Sequence, residues 1–146
     1  MEYEQLKLEN QLCFPVYAAS RLITREYQPF LDKLKLTYPQ YLVLMVLWEN
    51  DCLQVNDIAK KLILNTNTIT PLLKRMEHQG LIIRNRSDKD ERKVLIKLTE
   101  EGYNLKVKAS QIPEELIKRL SDSELEIEDL VKLKESLNSL ILFLSK

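Results

Sequence analysis

Cys13 and Cys52 are the only thiols in this chain of 146 residues, and His78 is its only histidine. Any Ser/His/Asp or Cys/His catalytic set would therefore depend on that one imidazole. No cysteine and histidine stand at metal-ligand spacing, so neither a metal nor a cofactor is expected. Cys13 falls within a turn or two of a helix start, where the partial positive charge of the helix favours an anion such as a thiolate. Tyrosines gather in the same region, most of them within the first 41 residues. A free cysteine is also commonly a small buried hydrophobe, and the residues alone leave both roles open for Cys13.

A second set of residues suits phosphate and base edges. Lys plus Arg and Asp plus Glu balance at 22 each, so net charge gives no argument for a nucleic-acid partner. The distribution does: residues 56 to 98 carry 10 basic and 5 acidic groups, while the flanking stretches are net acidic. Clustered cations, rather than the chain average, gain from counterion release on a polyanion. Within that stretch, Thr66, Asn67, Thr68 and Thr70 place small polar donors at a helix start, and Lys74 and Arg75 follow one to two turns later. Arg84, Arg86, Lys89, Arg92 and Lys93 crowd a following β-hairpin, where an arginine at the tip can enter a minor groove. Asp90, two residues before Arg92, makes sense as a carboxylate that orients the guanidinium through a bidentate pair.

The elements that must position these residues follow from periodicity. Only Gly80 and Gly102 interrupt the chain, which points to a mainly helical protein. Apolar residues recurring every three or four positions predict a first helix from about Leu8 to Leu34, with Pro15 in its early turns and Pro29 kinking or ending it. Thr37 before Tyr38-Pro39 predicts the cap of a second helix, apolar all round and central to the core. A short extended segment at Leu53–Val55 precedes a brief helix capped by Asn56. Thr66 or Asn67 then caps a helix ending at Gly80, which gives a helix-turn-helix.

LIIRNR from Leu81 and KVLIKL from Lys93 alternate as strands around the charged turn SDKDER, so a hairpin follows the second helix directly. Thr99 opens a long helix bending near Pro113, and Ser121 or Ser123 caps a last helix with apolar positions from Leu125 to Leu144. Both terminal segments carry apolar stripes without an obvious partner in the chain, and such area usually marks an interface. The longest apolar run, Tyr41–Trp48, is far short of the roughly 20 residues of a membrane helix. The N-terminus lacks the order of a signal peptide, so a cytoplasmic location is expected.

The run DERKVLIKLTEEG, Asp90 to Gly102, resembles the wing signature of the MarR family of transcriptional regulators. TPLLKRMEHQGLIIR, Thr70 to Arg84, is similar to that family's recognition helix and first wing strand. LENQLCF near the start and LTYPQYLVLMVLWE, Leu36 to Glu49, extend the likeness over roughly residues 8 to 112. It looks most like the organic hydroperoxide resistance regulator branch. Asn65, Thr66 and Asn67 stand where the family commonly has Asp-Ser-Gly, with the capping chemistry retained. The resemblance implies a single domain over residues 1 to 146, mainly α with a small β-element. Residues 1 to 35 and 100 to 146 would form dimerisation helices around a winged helix-turn-helix at 36 to 99.

It implies, too, a homodimer on a pseudo-palindromic duplex operator, with Cys13 oxidised by an organic hydroperoxide and then capped by a small thiol. Tyr27 and Tyr38 would supply the hydrogen bonds to the thiolate from the partner subunit. Oxidation would release the operator, making the chain a repressor and not an enzyme. Two-cysteine members pair this cysteine with one in the C-terminal helices, where this chain has none, so the one-cysteine mode is expected and Cys52 is a bystander. Release by a phenolic or other apolar ligand without redox sensing is the alternative. A thiol peroxidase would need a resolving thiol, and a winged-helix module without DNA would leave the wing arginines unexplained.

Overall fold

The computed structural model describes residues 1–146 as two compact units, Met1–Tyr38 and Pro39–Lys146. The first unit opens with two 3-10 turns, Glu4–Leu6 and Leu8–Asn10, and continues as helix α1, Cys13–Lys33. The predicted helix start at Leu8 is therefore displaced to Cys13. Lys7 and Gln11 adopt extended backbone at the ends of the 3-10 turns and interrupt the ladder that the apolar spacing suggests. Pro15 sits at the third helical position, where a missing N–H costs nothing, and Pro29 lies within the helix without ending it.

In the second unit, α2 (Tyr38–Glu49) supplies the core that its sequence predicts. Tyr41, Val43, Leu44, Val46 and Leu47 are buried. Ile58, Ile69, Leu73, Met76, Ile82 and Ile96 complete this core, each burial contributing about 1.5–3 kcal/mol. Trp48 donates its indole N–H to the carbonyl of Gly102 at 3.0 Å, and the Lys106 ammonium reaches the Trp48 carbonyl at 3.1 Å.

The helix-turn-helix consists of α3 (Val55–Leu62) and α4 (Thr66–His78). Gln54, not Asn56, occupies the position before α3, because the extended segment ends one residue earlier than predicted. Asn65, not Thr66 or Asn67, caps α4: its Oδ1 accepts from the Thr68 N–H at 3.0 Å. Ile63, which closes α3, has φ +56, an uncommon left-handed conformation for a β-branched residue. Gly80 ends α4 as predicted, at φ +77.

The hairpin is β2 (Ile82–Arg86) paired antiparallel with β3 (Val94–Leu98), in register from Ile82↔Leu98 to Arg86↔Val94. A two-residue strand β1 (Leu53–Gln54) adds to the other edge of β3, giving the order β1-β3-β2. The predicted long helix after Thr99 is two helices, α5 (Glu100–Ala109) and α6 (Ile112–Ser121), with Pro113 in the first turn of α6. Thr99 caps α5 by accepting from the Gly102 N–H at 3.1 Å. The last helix, α7 (Ile127–Leu144), starts later than Ser121 or Ser123 would set it. Glu126 and Asp129 exchange backbone and side-chain bonds there as a capping box. No residue of α7 is buried, and Leu140 to Leu144 are all exposed, as are Leu6, Leu8, Leu12 and Val16 in the first unit.

Candidate nucleic-acid interface and redox cysteine

The exposed face of α4 is set by helical spacing. Thr66, Thr70 and Lys74 recur at i, i+4 and i+8 and share one row, while Asn67 and Arg75 lie on the neighbouring row. Asn65 Oδ1 also accepts from the Thr68 hydroxyl at 3.1 Å, so that hydroxyl is committed as a donor and free only as an acceptor. A cap of this kind is worth about 1 kcal/mol, and it keeps the positive end of α4 open to solvent beside Thr66 and Asn67.

The wing meets this helix across a cleft of about 200 Å³, lined by Asn56, Thr66, Thr70, Arg84, Arg92 and Lys93 among others. Five of the sequence-predicted residues, Thr66, Thr70, Arg84, Arg92 and Lys93, are thus brought together. Asn56 joins them, although the sequence suggests only a capping role for it. Arg86 and Lys89 are exposed on the hairpin, outside the cleft.

Arg84 departs from the solvent-facing role its charge suggests. Its side chain is only 20% exposed, Nη1 lies 3.7 Å from Glu77 Oε1, and its backbone N–H donates to Glu77 Oε2 at 3.0 Å. The Arg84 Nε is buried with no hydrogen-bond partner.

At the wing tip, Asp90 orients Arg92 through one oxygen rather than the expected bidentate pair. Asp90 Oδ1 accepts from the Arg92 backbone N–H at 3.1 Å and from its Nε at 3.4 Å. The guanidinium itself is 93% exposed, and so exposed a contact stabilises little. The Asp90 carbonyl accepts from the Lys93 N–H, and the Lys93 carbonyl from the Ser87 N–H, closing the tip. At the base of the wing, Asp51 Oδ1 accepts from the backbone N–H groups of Cys52 and Leu98.

In the first unit, Cys13 is the first residue of α1 and is exposed. Its helix start lacks a side-chain cap, so backbone N–H groups there face outward unpaired within the helix. Tyr27 and Tyr38 come together, with ring centroids 4.8 Å apart and planes tilted by 47°. Burial raises the Tyr38 phenol above its ordinary value, opposed by a hydrogen bond with Tyr27. Fourteen helical positions separate Cys13 from Tyr27, about 21 Å along the axis. One chain therefore holds Tyr27 about four turns of α1 away from the thiol.

The sequence family described as Transcriptional regulator SarA/Rot matches residues 25–109. The organic hydroperoxide resistance transcriptional regulator of Bacillus subtilis (strain 168) is 52% identical over 140 residues, which is 96% of this chain and 93% of that protein. The chain belongs to the MarR- and SarA/Rot-type transcriptional regulators. The regulator is also similar to AbfR, a Staphylococcus epidermidis protein. A solved structure of reduced AbfR bound to DNA has a TM-score of 0.79 at 35% identity, covering 99% of this chain and all of that one. One of overoxidized AbfR bound to DNA has a TM-score of 0.73 at 36% identity, covering 97% of this chain and 99% of that one. The fold of the regulator, helix-turn-helix followed directly by a hairpin, is the winged helix these likenesses require.

Proposed function

We propose that the regulator is a homodimeric repressor that grips a pseudo-palindromic DNA duplex and releases it when Cys13 is oxidised by an organic hydroperoxide. The observation that carries this reading is the cleft where Thr66 and Thr70 of α4 face Arg84, Arg92 and Lys93 of the wing. Hydroxyls and a helix start suit base edges and phosphate at one side, and cations suit the adjacent backbone at the other. Residues 36–99 serve as the DNA-binding lobe. Residues 1–35 and 100–146 serve as dimerisation helices, whose exposed apolar residues then find cover on a second copy. A two-fold dimer presents two recognition helices to half-sites about 34 Å apart.

At Cys13 the thiolate sulfur attacks the distal peroxide oxygen, the O–O bond breaks, and the alkoxide leaves as an alcohol after taking a proton. The sulfenic acid then condenses with a small thiol, forming a mixed disulfide and water. Tyr27 and Tyr38 of the other subunit donate hydrogen bonds to the thiolate, a reading supported by the roughly 21 Å along α1 that separates Cys13 from Tyr27 of the same chain. AbfR has been solved on DNA in an overoxidized form. Release here is assigned to the mixed disulfide, which is bulkier than a single added oxygen.

The chain acts stoichiometrically, not as an enzyme, and without a cofactor. Its other thiol, Cys52, is exposed in the turn before β1 and serves as a bystander. No helix is long and apolar enough to cross a membrane, and binding DNA places the protein in the cytoplasm. Selection of bound duplexes from a random pool with reduced protein tests the reading. It should return a two-fold-symmetric site that is lost from the pool with hydroperoxide and thiol present. Enrichment of no duplex, or steady peroxide consumption with a thiol reductant, would overturn it.

A further inference from the structure

Gln40 is the only polar side chain buried in the core, at 4% exposure, and it stands in the first turn of α2, two residues after Tyr38. Its Nε2 donates to Gln79 Oε1 at 2.8 Å, a bond between residues 39 positions apart in the chain. A polar group carried into an apolar core gives up its bonds to water, so losing the partner that replaces them is costly. Gln79 itself is exposed, and this is the one bond its carboxamide makes within the chain.

Gln79 occupies the pivot of the DNA-binding lobe. It is the C-cap of α4, the next residue is Gly80 at φ +77, and β2 begins at Ile82. The same turn is fastened to the end of the hairpin. There the Thr99 hydroxyl donates to the Gly80 carbonyl at 2.6 Å, and the Thr99 N–H to the Leu81 carbonyl at 3.1 Å. A displacement of Gln79 therefore moves recognition helix and wing together. Apolar packing is non-directional and tolerates sliding, whereas a hydrogen bond weakens steeply once its geometry is lost. The amide pair thus sets where the end of α4 lies relative to the start of α2.

We propose that the Gln40–Gln79 pair is a positioning contact of the redox switch, carrying the state of the tyrosine pair at the start of α2 to the turn between α4 and the wing. The inference rests on the Cys13 reading above. A disulfide sulfur accepts hydrogen bonds weakly, so the mixed disulfide at Cys13 of the partner subunit takes the acceptor away from Tyr38 and sets a bulky group against it. The first turn of α2 shifts, Gln40 shifts with it, and the buried amide draws Gln79 along. Thr66, Thr70 and Arg92 then lose their common fit to one half-site. Neither glutamine lines the wing cleft, so the pair acts on DNA only through the elements it positions.

The test uses the full-length protein, treated with cumene hydroperoxide and then cysteine, with mass confirming the mixed disulfide at Cys13. Gln79→Ala removes the acceptor at an exposed residue, and Gln79→Glu keeps an oxygen at the same reach. Reduced Gln79→Ala should bind the selected duplex within about threefold of the wild type. After conversion, the wild type and Gln79→Glu should each lose on the order of tenfold to a hundredfold relative to their own reduced forms, and Gln79→Ala less than about threefold. Cys13 should be converted at the same rate in all three, because the pair acts after the chemistry.

Equal losses in Gln79→Ala and the wild type would overturn the proposal, as would a Gln79→Glu that behaves like Gln79→Ala. Weakened duplex binding by reduced Gln79→Ala would make the pair a structural prop of α4, and slower conversion of Cys13 would place its effect at the thiol; either result also overturns it. A wild type that keeps its duplex while carrying the mixed disulfide refutes the switch itself. A responsive wild type beside an equally responsive Gln79→Ala refutes the relay alone.

Discussion

Glu77 holds Arg84 at two points, accepting the Arg84 backbone N–H at 3.0 Å through Oε2 and facing its Nη1 at 3.7 Å through Oε1. The contact joins the last turn of α4 to the first wing strand. It also turns one of the wing cations inward while leaving its Nε buried and without an acceptor. A buried donor in that state costs about 1–3 kcal/mol, which a phosphate oxygen entering the cleft would recover.

Glu77→Gln keeps an acceptor for the backbone N–H and removes the charge that competes with phosphate. Binding to non-sequence-specific duplex should strengthen, and the slope of log K against log salt should steepen by about one unit. Fluorescence anisotropy across a salt series measures both. An unchanged slope would mean that Arg84 does not contact DNA.

Arg92→Ala acts at the exposed tip. Its contact with Asp90 contributes little to stability, so the melting temperature should hold while DNA affinity falls and the salt slope flattens by about one unit. A lowered melting temperature with unaltered DNA binding would make Arg92 a structural residue instead.

Gly102 approaches Leu81 so closely that an added Cβ would stand 2.1 Å from its carbonyl oxygen. Gly102→Ala should therefore cost about 2–4 kcal/mol, because the atom in the way is backbone and cannot swing aside. Gly80→Ala has room, with nothing nearer than 3.6 Å, and should cost about 1 kcal/mol through its φ of +77. Chemical denaturation of the two variants should rank them in that order.

Tyr38 gives an alkaline signature. Burial raises its folded-state phenol above the unfolded value near 10, so the neutral form is favoured in the folded protein. Between the unfolded and folded values the unfolded chain has lost the proton and the folded chain has kept it. Stability is thus full below about pH 10 and falls as pH rises from there through the folded value. Melting curves from pH 9 upward should show that fall diminished in Tyr38→Phe.

Much of this arrangement was legible in the sequence because it rests on period and charge. The apolar run of α2, the alternation of Val94, Ile96 and Leu98, and the terminating Gly80 each specify an element by themselves. Caps were less legible: Asn65, Thr66 and Asn67 all carry suitable oxygens, and only the entry angle of the chain selects Asn65. Glu126 was hidden similarly, since its role depends on the reciprocal bond with Asp129 rather than on residue type. Strand β1 is two residues long, too short for any period, and exists because β3 offers it an edge. Arg84 shows the limit most clearly. Its charge is visible in the sequence, but its inward turn depends on Glu77, seven residues earlier, being brought opposite it by the α4–β2 connection.

Control of DNA binding by Cys13 stands or falls on one comparison. Affinity for the selected duplex should be compared before and after a stoichiometric organic hydroperoxide plus a small thiol, in wild type and in Cys13→Ser. A loss on the order of tenfold to a hundredfold is expected in the wild type and none in the variant. Equal loss in both proteins, or undiminished binding by a wild type shown by mass to carry the mixed disulfide at Cys13, would contradict it.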